Sequence, residues 1–247
     1  MTSAEETNGS AGIPSGRRRS RRLLVVPSLL MCAGAVSLML AINLCSELMC
    51  SQHQAAEIDD YYQIIQERMD PLSFCAIKDD LMIIRPMMQE LPLLFARCRN
   101  YLIGFAISSF LVSIVSFLCG RSTMKLSSSL LALMLGLAVS GILFCGISGG
   151  AFKKLGHFRK TLDYSFRMVM GYAEKGSKGD IKRCQRPVEA SFESGWQELG
   201  RCGNVFLAYS FPLVLLALLL HFHGMVRDAR LRAPNGVPWK PSQRSSD

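Results

Sequence analysis

The chain has 247 residues, 49% of them hydrophobic, with 28 Lys and Arg against 19 Asp and Glu for a formal net charge of +9, and nine cysteines. Its apolar residues collect in four uncharged stretches instead of spreading through the chain, which excludes the one or two soluble domains that length alone suggests. The positive charge does not indicate nucleic acid, because the basic residues lie beside the apolar stretches and are not interleaved with aromatics in a recognition motif.

Residues 1–22 form a basic head. Residues 1–16 are rich in Ser, Gly, Glu and Thr and are expected to be disordered. Arg17, Arg18, Arg19, Arg21 and Arg22 follow, a run that the positive-inside rule places in the cytoplasm and that anionic lipid attracts. Ser20 sits among them as a candidate phosphosite, since a phosphate would cancel part of that attraction. Asn8-Gly9-Ser10 is the one standard N-glycosylation sequon, expected to stay unused on the cytosolic side.

Residues 23–45 are the first span. Residues 101–119, 128–150 and 203–224 are the others, and none contains Asp, Glu, Lys or Arg. About 20 helical residues cover the ~30 Å hydrocarbon core, so each stretch suffices for one crossing. The first is longer than the ~7–15-residue core of a signal peptide and reads as a retained anchor.

The first exterior loop, residues 46–100, carries nine carboxylates against five Lys and Arg. Ile58, Tyr61, Tyr62, Ile65 and Met69 recur at helical spacing, and Asp70-Pro71 should end that helix. Prolines at 86 and 92 interrupt the following apolar runs, so the loop is expected to form two or three short helices. Such a small cap has little apolar mass and calls for staples. Residues 120–127 are too few to hold a domain and place spans two and three in an antiparallel hairpin.

The second exterior loop, residues 151–202, is basic, with eleven Lys and Arg against six acidic residues. Phe152, Leu155, Phe158, Leu162, Phe166, Val169 and Met170 continue span three outward as an amphipathic helix. The loop breaks at residues 176–179, and its charge, opposite to that of the first loop, favours mutual docking. Pro212 is expected to kink span four. The tail, residues 225–247, begins with Arg227, Arg230 and Arg232 and reads as cytoplasmic; Trp239 stands alone in it.

A basic exterior loop argues against this orientation, and the cysteines decide the matter. Cys45, Cys50, Cys75 and Cys98 lie in or beside the first loop and Cys184 and Cys202 in the second, all on one side. Six thiols so gathered suit an oxidising exterior or lumen and up to three disulfides. Cys32, Cys119 and Cys145 are read as packing residues.

Within the spans, Ala33, Ser37 and Ala41, then Gly104 and Ser108, then Ala132, Gly136 and Ser140 repeat at four-residue spacing, the pattern that lets membrane helices approach closely. Internal packing is preferred over assembly into homo- or hetero-oligomers. The absence of ionisable side chains at membrane depth speaks against proton relays, ion-coupled transport and voltage sensing. His221 and His223 are two apart, on different helix faces, and make no metal pair. There is no Cys-x-x-Cys, no phosphate loop and no assignable nucleophile and base, so no cofactor and no enzymatic activity are expected.

Two exterior loops, cytoplasmic ends and a tight inner turn resemble, in topology, the broad tetraspan group that includes claudin-like and clarin-like proteins. The first loop has no tryptophan and the second no Cys-Cys-Gly, so no functional residue is carried over. The expectation is an all-α integral membrane protein: a four-transmembrane-helix bundle with a small disulfide-supported helical cap, both termini cytoplasmic, in the plasma membrane in preference to endomembranes. Its expected partners are the lipid bilayer and other membrane or extracellular proteins, bound through the two loops in a structural or adaptor role. The alternative is a channel subunit whose path is lined by Ser108, Ser109, Ser113 and Ser116, with a lipid- or thiol-modifying enzyme as a third reading.

Overall fold

The structure, a computed structural model, describes residues 15–119, 124–173 and 178–232. Four long helical rods dominate it. The first is α1, Ser15–Arg68; the second α2, Pro71–Cys119; the third α3, Met124–Tyr172. The fourth is continuous from α4, Lys178–Val205, through a five-residue π-helical turn, Phe206–Ser210, into α5, Phe211–Arg232. Each rod contains a stretch long and apolar enough to cross a membrane, so the chain is an all-α, multi-pass membrane protein.

Rod length is the first departure from expectation. The 54 residues of α1 extend about 80 Å at 1.5 Å per residue, against a hydrocarbon core of ~30 Å. More than half of each rod therefore lies outside the hydrocarbon, and the exterior loops are helical extensions of the spans. α1 packs on α2, α2 on α3, α3 on α4 and α5, and these return to α1. The result is a closed four-helix bundle running through a membrane half and an extramembrane half.

Helix α1 ends where the sequence provides a stop. Asp70 caps α2: its Oδ2 accepts the backbone N–H groups of Leu72 at 3.1 Å and Ser73 at 3.4 Å, with Pro71 at the first helical position, where a missing N–H costs nothing. Pro86 and Pro92, by contrast, do not interrupt α2. The loop thus holds two long helical segments, the end of α1 and the start of α2, and the further breaks expected at Pro86 and Pro92 do not occur, because each proline removes a single backbone bond while Met87, Met88, Leu91 and Phe95 around them are buried in the core and hold the rod together. Pro187 is accommodated within α4 in the same way.

Buried positions follow an alternating three- and four-residue repeat. In the fourth rod they fall at Ile181, Gln185, Val188, Phe192, Gly195, Leu199, Cys202 and Phe206; in α2 at Ile84, Met88, Leu91, Phe95, Cys98, Leu102, Phe105, Ser109, Val112 and Ser116. This is the knobs-into-holes repeat of supercoiled helices. It crosses the membrane boundary without a break, while the residues that occupy it change character. The extramembrane seam holds mainly Ile, Met, Phe and Leu, with Ser51, Ser165 and Gln185 among them; the membrane seam is richer in small residues, with Ser37, Ser109, Ser113, Ser148, Ala33 and Ala41. Water drives large apolar side chains together, whereas in lipid only close packing and hydrogen bonds favour association.

The expected cap is not held by disulfides among the described residues, and a core lies in its place. Among the described residues no disulfide joins Cys45, Cys50, Cys75, Cys98 or Cys202; the side chain of Cys184 lies outside the described residues. Cys98 and Cys202 are buried, Cys50 and Cys75 exposed. Staples were expected because each loop alone has little apolar mass. Four helical extensions pool their apolar faces, and Tyr61, Ile65, Met88, Phe95, Leu155, Phe166, Ile181 and Phe192 form one continuous cluster.

The two oppositely charged segments are joined by ion pairs between Lys154 and Glu90 and between Arg68 and Asp180, the latter at 3.7 Å. All four side chains are roughly half exposed, so each pair contributes at most about 1 kcal/mol. Apolar burial therefore dominates the association.

Candidate functional site

Four glycines set how closely the rods approach, and each seats an aromatic ring. A Cβ at Gly34 would lie 2.9 Å from the Phe110 ring, at Gly141 2.8 Å from Phe211, at Gly195 2.7 Å from Phe95 and at Gly200 3.0 Å from Phe152. In the membrane half Phe206 lies between Phe105 and Phe144, with ring centroids 5.0 and 4.5 Å away. Just beyond the predicted span ends, Phe152 stacks on Trp196 at 4.9 Å. Arg159 lies over the same indole at 5.3 Å and pairs with Glu193 at 2.8 Å.

The small-residue stripes are placed unequally. Ala33, Ser37 and Ala41 are buried, whereas Gly104, Ser108, Ala132 and Gly136 face outward and Ser140 is half-buried. A Cβ at Gly104 or Gly136 would meet nothing within 4 Å. Sequence spacing does not tell these faces apart, because lipid is as apolar as a neighbouring helix.

The serines of α2 separate likewise. Ser108 is exposed; Ser109, Ser113 and Ser116 are buried. Ser113 donates to the Pro27 carbonyl of α1 at 2.8 Å. Around the π-helical turn, the Ser37 and Ser210 hydroxyls lie 3.1 Å apart and both reach the Ala33 carbonyl, at 2.9 and 3.3 Å. These contacts tie span four to span one through polar atoms within the apolar spans.

Among the described residues no three or more His, Cys, Asp or Glu side chains gather as metal ligands. The side chain of Ser20 and the sequon at Asn8 lie outside the described residues. His221 is half-buried and His223 exposed near the end of the fourth rod.

The half beyond the predicted spans carries a feature that sequence reading missed. On the outward face of α2, Leu72 (82% exposed), Met82 (54%), Ile83 (48%) and Leu93 (57%) stand open, accompanied by exposed Cys75, Ala76 and Pro86. Leu72 and Ile83, like Met82 and Leu93, are eleven residues apart, close to three helical turns, so all of them share one sector of the helix. Asp79 and the half-exposed Glu90, which pairs with Lys154 of α3, interrupt it. The eleven-residue recurrence is the signal in the sequence, and prolines read as breaks concealed it.

No protein-family model, no curated protein and no solved structure matches this chain.

Proposed function

We propose that the chain is a four-span membrane protein with a structural or adaptor role, presenting its exterior bundle to other membrane or extracellular proteins instead of catalysing a reaction. The outward apolar stripe on α2 carries this reading. Contiguous apolar side chains exposed to water outside a bilayer mark a protein-binding face, and this one stands on a helix held rigid by the bundle behind it. Both termini are cytoplasmic in this reading, which directs the stripe to the exterior or lumen, with the plasma membrane as the preferred location. The channel alternative has less support, because Ser109, Ser113 and Ser116 are buried, Ser113 donates to the backbone of α1, and Phe105, Phe144 and Phe206 pack together between the spans.

A photocrosslinking residue at Ile83 in native membranes tests the proposal. A discrete adduct is expected, and Met82→Glu should abolish it without changing the thermal unfolding midpoint. An adduct that persists in Met82→Glu, or crosslinking to lipid alone, contradicts it.

A further inference from the structure

Between the outer parts of α3 and α4 lies a cleft of about 500 Å³, a volume typical of sites for small molecules. Its floor belongs to the core. Phe166 is buried and meets Tyr61 edge to face at 5.8 Å, and buried Gln185 donates its amide N–H to the Tyr61 hydroxyl at 3.2 Å. Its rim carries Arg167, Lys182 and Arg186 together with Asp163 and Glu189.

Two observations distinguish this rim from an ordinary solvated helix face. The first is that none of the five charged side chains forms an ion pair among the described residues. Asp163 and Arg167 are four apart and Arg186 and Glu189 three apart, spacings at which helical neighbours can pair. The second is that the charges are sorted along the bundle axis. Arg159 pairs with Glu193 and Gly200 faces Phe152, and this antiparallel register puts Asp163 level with Glu189 across the cleft. Arg167 and Arg186 lie about one turn farther from the membrane, and Lys182 about two turns farther. The cleft is thus negative at its inner end and positive at its outer end, with an apolar floor between.

We propose that this cleft binds a small dipolar organic molecule with an apolar body, its ammonium between Asp163 and Glu189 and its anionic group among Arg167, Arg186 and Lys182. Three to seven residues at 1.5 Å each separate the two ends by roughly 5–10 Å. At ~3.5 Å per extended residue this matches the free ends of a di- or tripeptide. A headgroup of the surrounding bilayer does not fit, because residue 163 lies thirteen positions beyond the predicted end of span three at residue 150, about 20 Å along the helix.

The test is calorimetric titration of the full chain in lipid nanodiscs with the tripeptide Ala-Leu-Ala, its N-acetylated form and its C-terminal amide. The free tripeptide should bind saturably, and capping either end should weaken binding at least tenfold. In the Asp163→Asn/Glu189→Gln double variant the free and N-acetylated forms should bind alike. In Arg167→Gln/Arg186→Gln the free and amidated forms should do so. The rim side chains are exposed or half-exposed, so unchanged unfolding midpoints are expected in both variants. Absence of saturable binding by the unmodified chain, or equal affinity for free and capped peptides, overturns the proposal.

Discussion

At the scale of single residues, identity matters less than what the facing rod presents. Gly195 and Gly136 are both helical glycines in chemically bland sequence. A methyl at Gly195 would fall 2.7 Å from the ring of Phe95, itself buried, while one at Gly136 would meet no atom within 4 Å. Gly195→Ala should therefore destabilise the bundle by about 1–3 kcal/mol, the usual cost of overpacking. Gly136→Ala should be neutral or slightly stabilising, because alanine is the better helix former. Thermal unfolding in detergent compares the two directly, and equal effects would contradict the ring-on-glycine account. The sequence showed Gly195 without showing its partner Phe95, which lies on another rod one hundred positions away. The stripe it drew attention to, Ala132, Gly136 and Ser140, does not seat a facing rod at Gly136.

At the scale of elements, the three-and-four repeat explains why rods of about fifty residues stay single helices despite internal prolines. Each turn puts one large side chain into the shared core, and that repeated gain outweighs one missing backbone bond at Pro86 or Pro92. Phase is then the vulnerable property. Inserting one alanine after Gly150 would rotate everything beyond it by about 100°, turning Leu155, Phe158, Leu162 and Phe166 off the core face. We expect the exterior half to lose its protection while the membrane half keeps its own, visible as faster amide hydrogen exchange in residues 155–173 and 181–199 and unchanged exchange in residues 128–148. Uniform protection in both halves would show that the repeat does not couple them. The amphipathic rhythm of α3 beyond residue 150 was legible, since Phe152 through Met170 keep their period. The continuity of α2 was not, because local rules assign a break to each proline and cannot weigh it against contacts from other rods.

At the scale of the whole molecule, the membrane and exterior halves share one architecture under two solvents. Sulfhydryl chemistry distinguishes the layers. Cys75 is exposed on the extramembrane half, which the proposed orientation places outside, whereas Cys98 and Cys202 are buried near the predicted span ends. A membrane-impermeant maleimide added to intact cells should label Cys75 without a reducing agent, and Cys98 and Cys202 only after denaturation. Labelling of Cys75 only after permeabilisation would reverse the proposed orientation. Labelling that requires prior reduction would restore the stapled cap.

By itself the sequence determined four crossings, their uncharged interior, the turn at Asp70-Pro71 and the helical run out of span three, because each follows from local hydrophobicity or backbone preference within about twenty residues. Only the tertiary structure decided that the loops are helical extensions, that their apolar faces pool into one core, that Ala33, Ser37 and Ala41 face inward while Gly104, Ala132 and Gly136 face outward, and that Asp163 stands level with Glu189. Those outcomes depend on the register between rods, a property of which residues meet across the bundle, and no single stretch of chain encodes it.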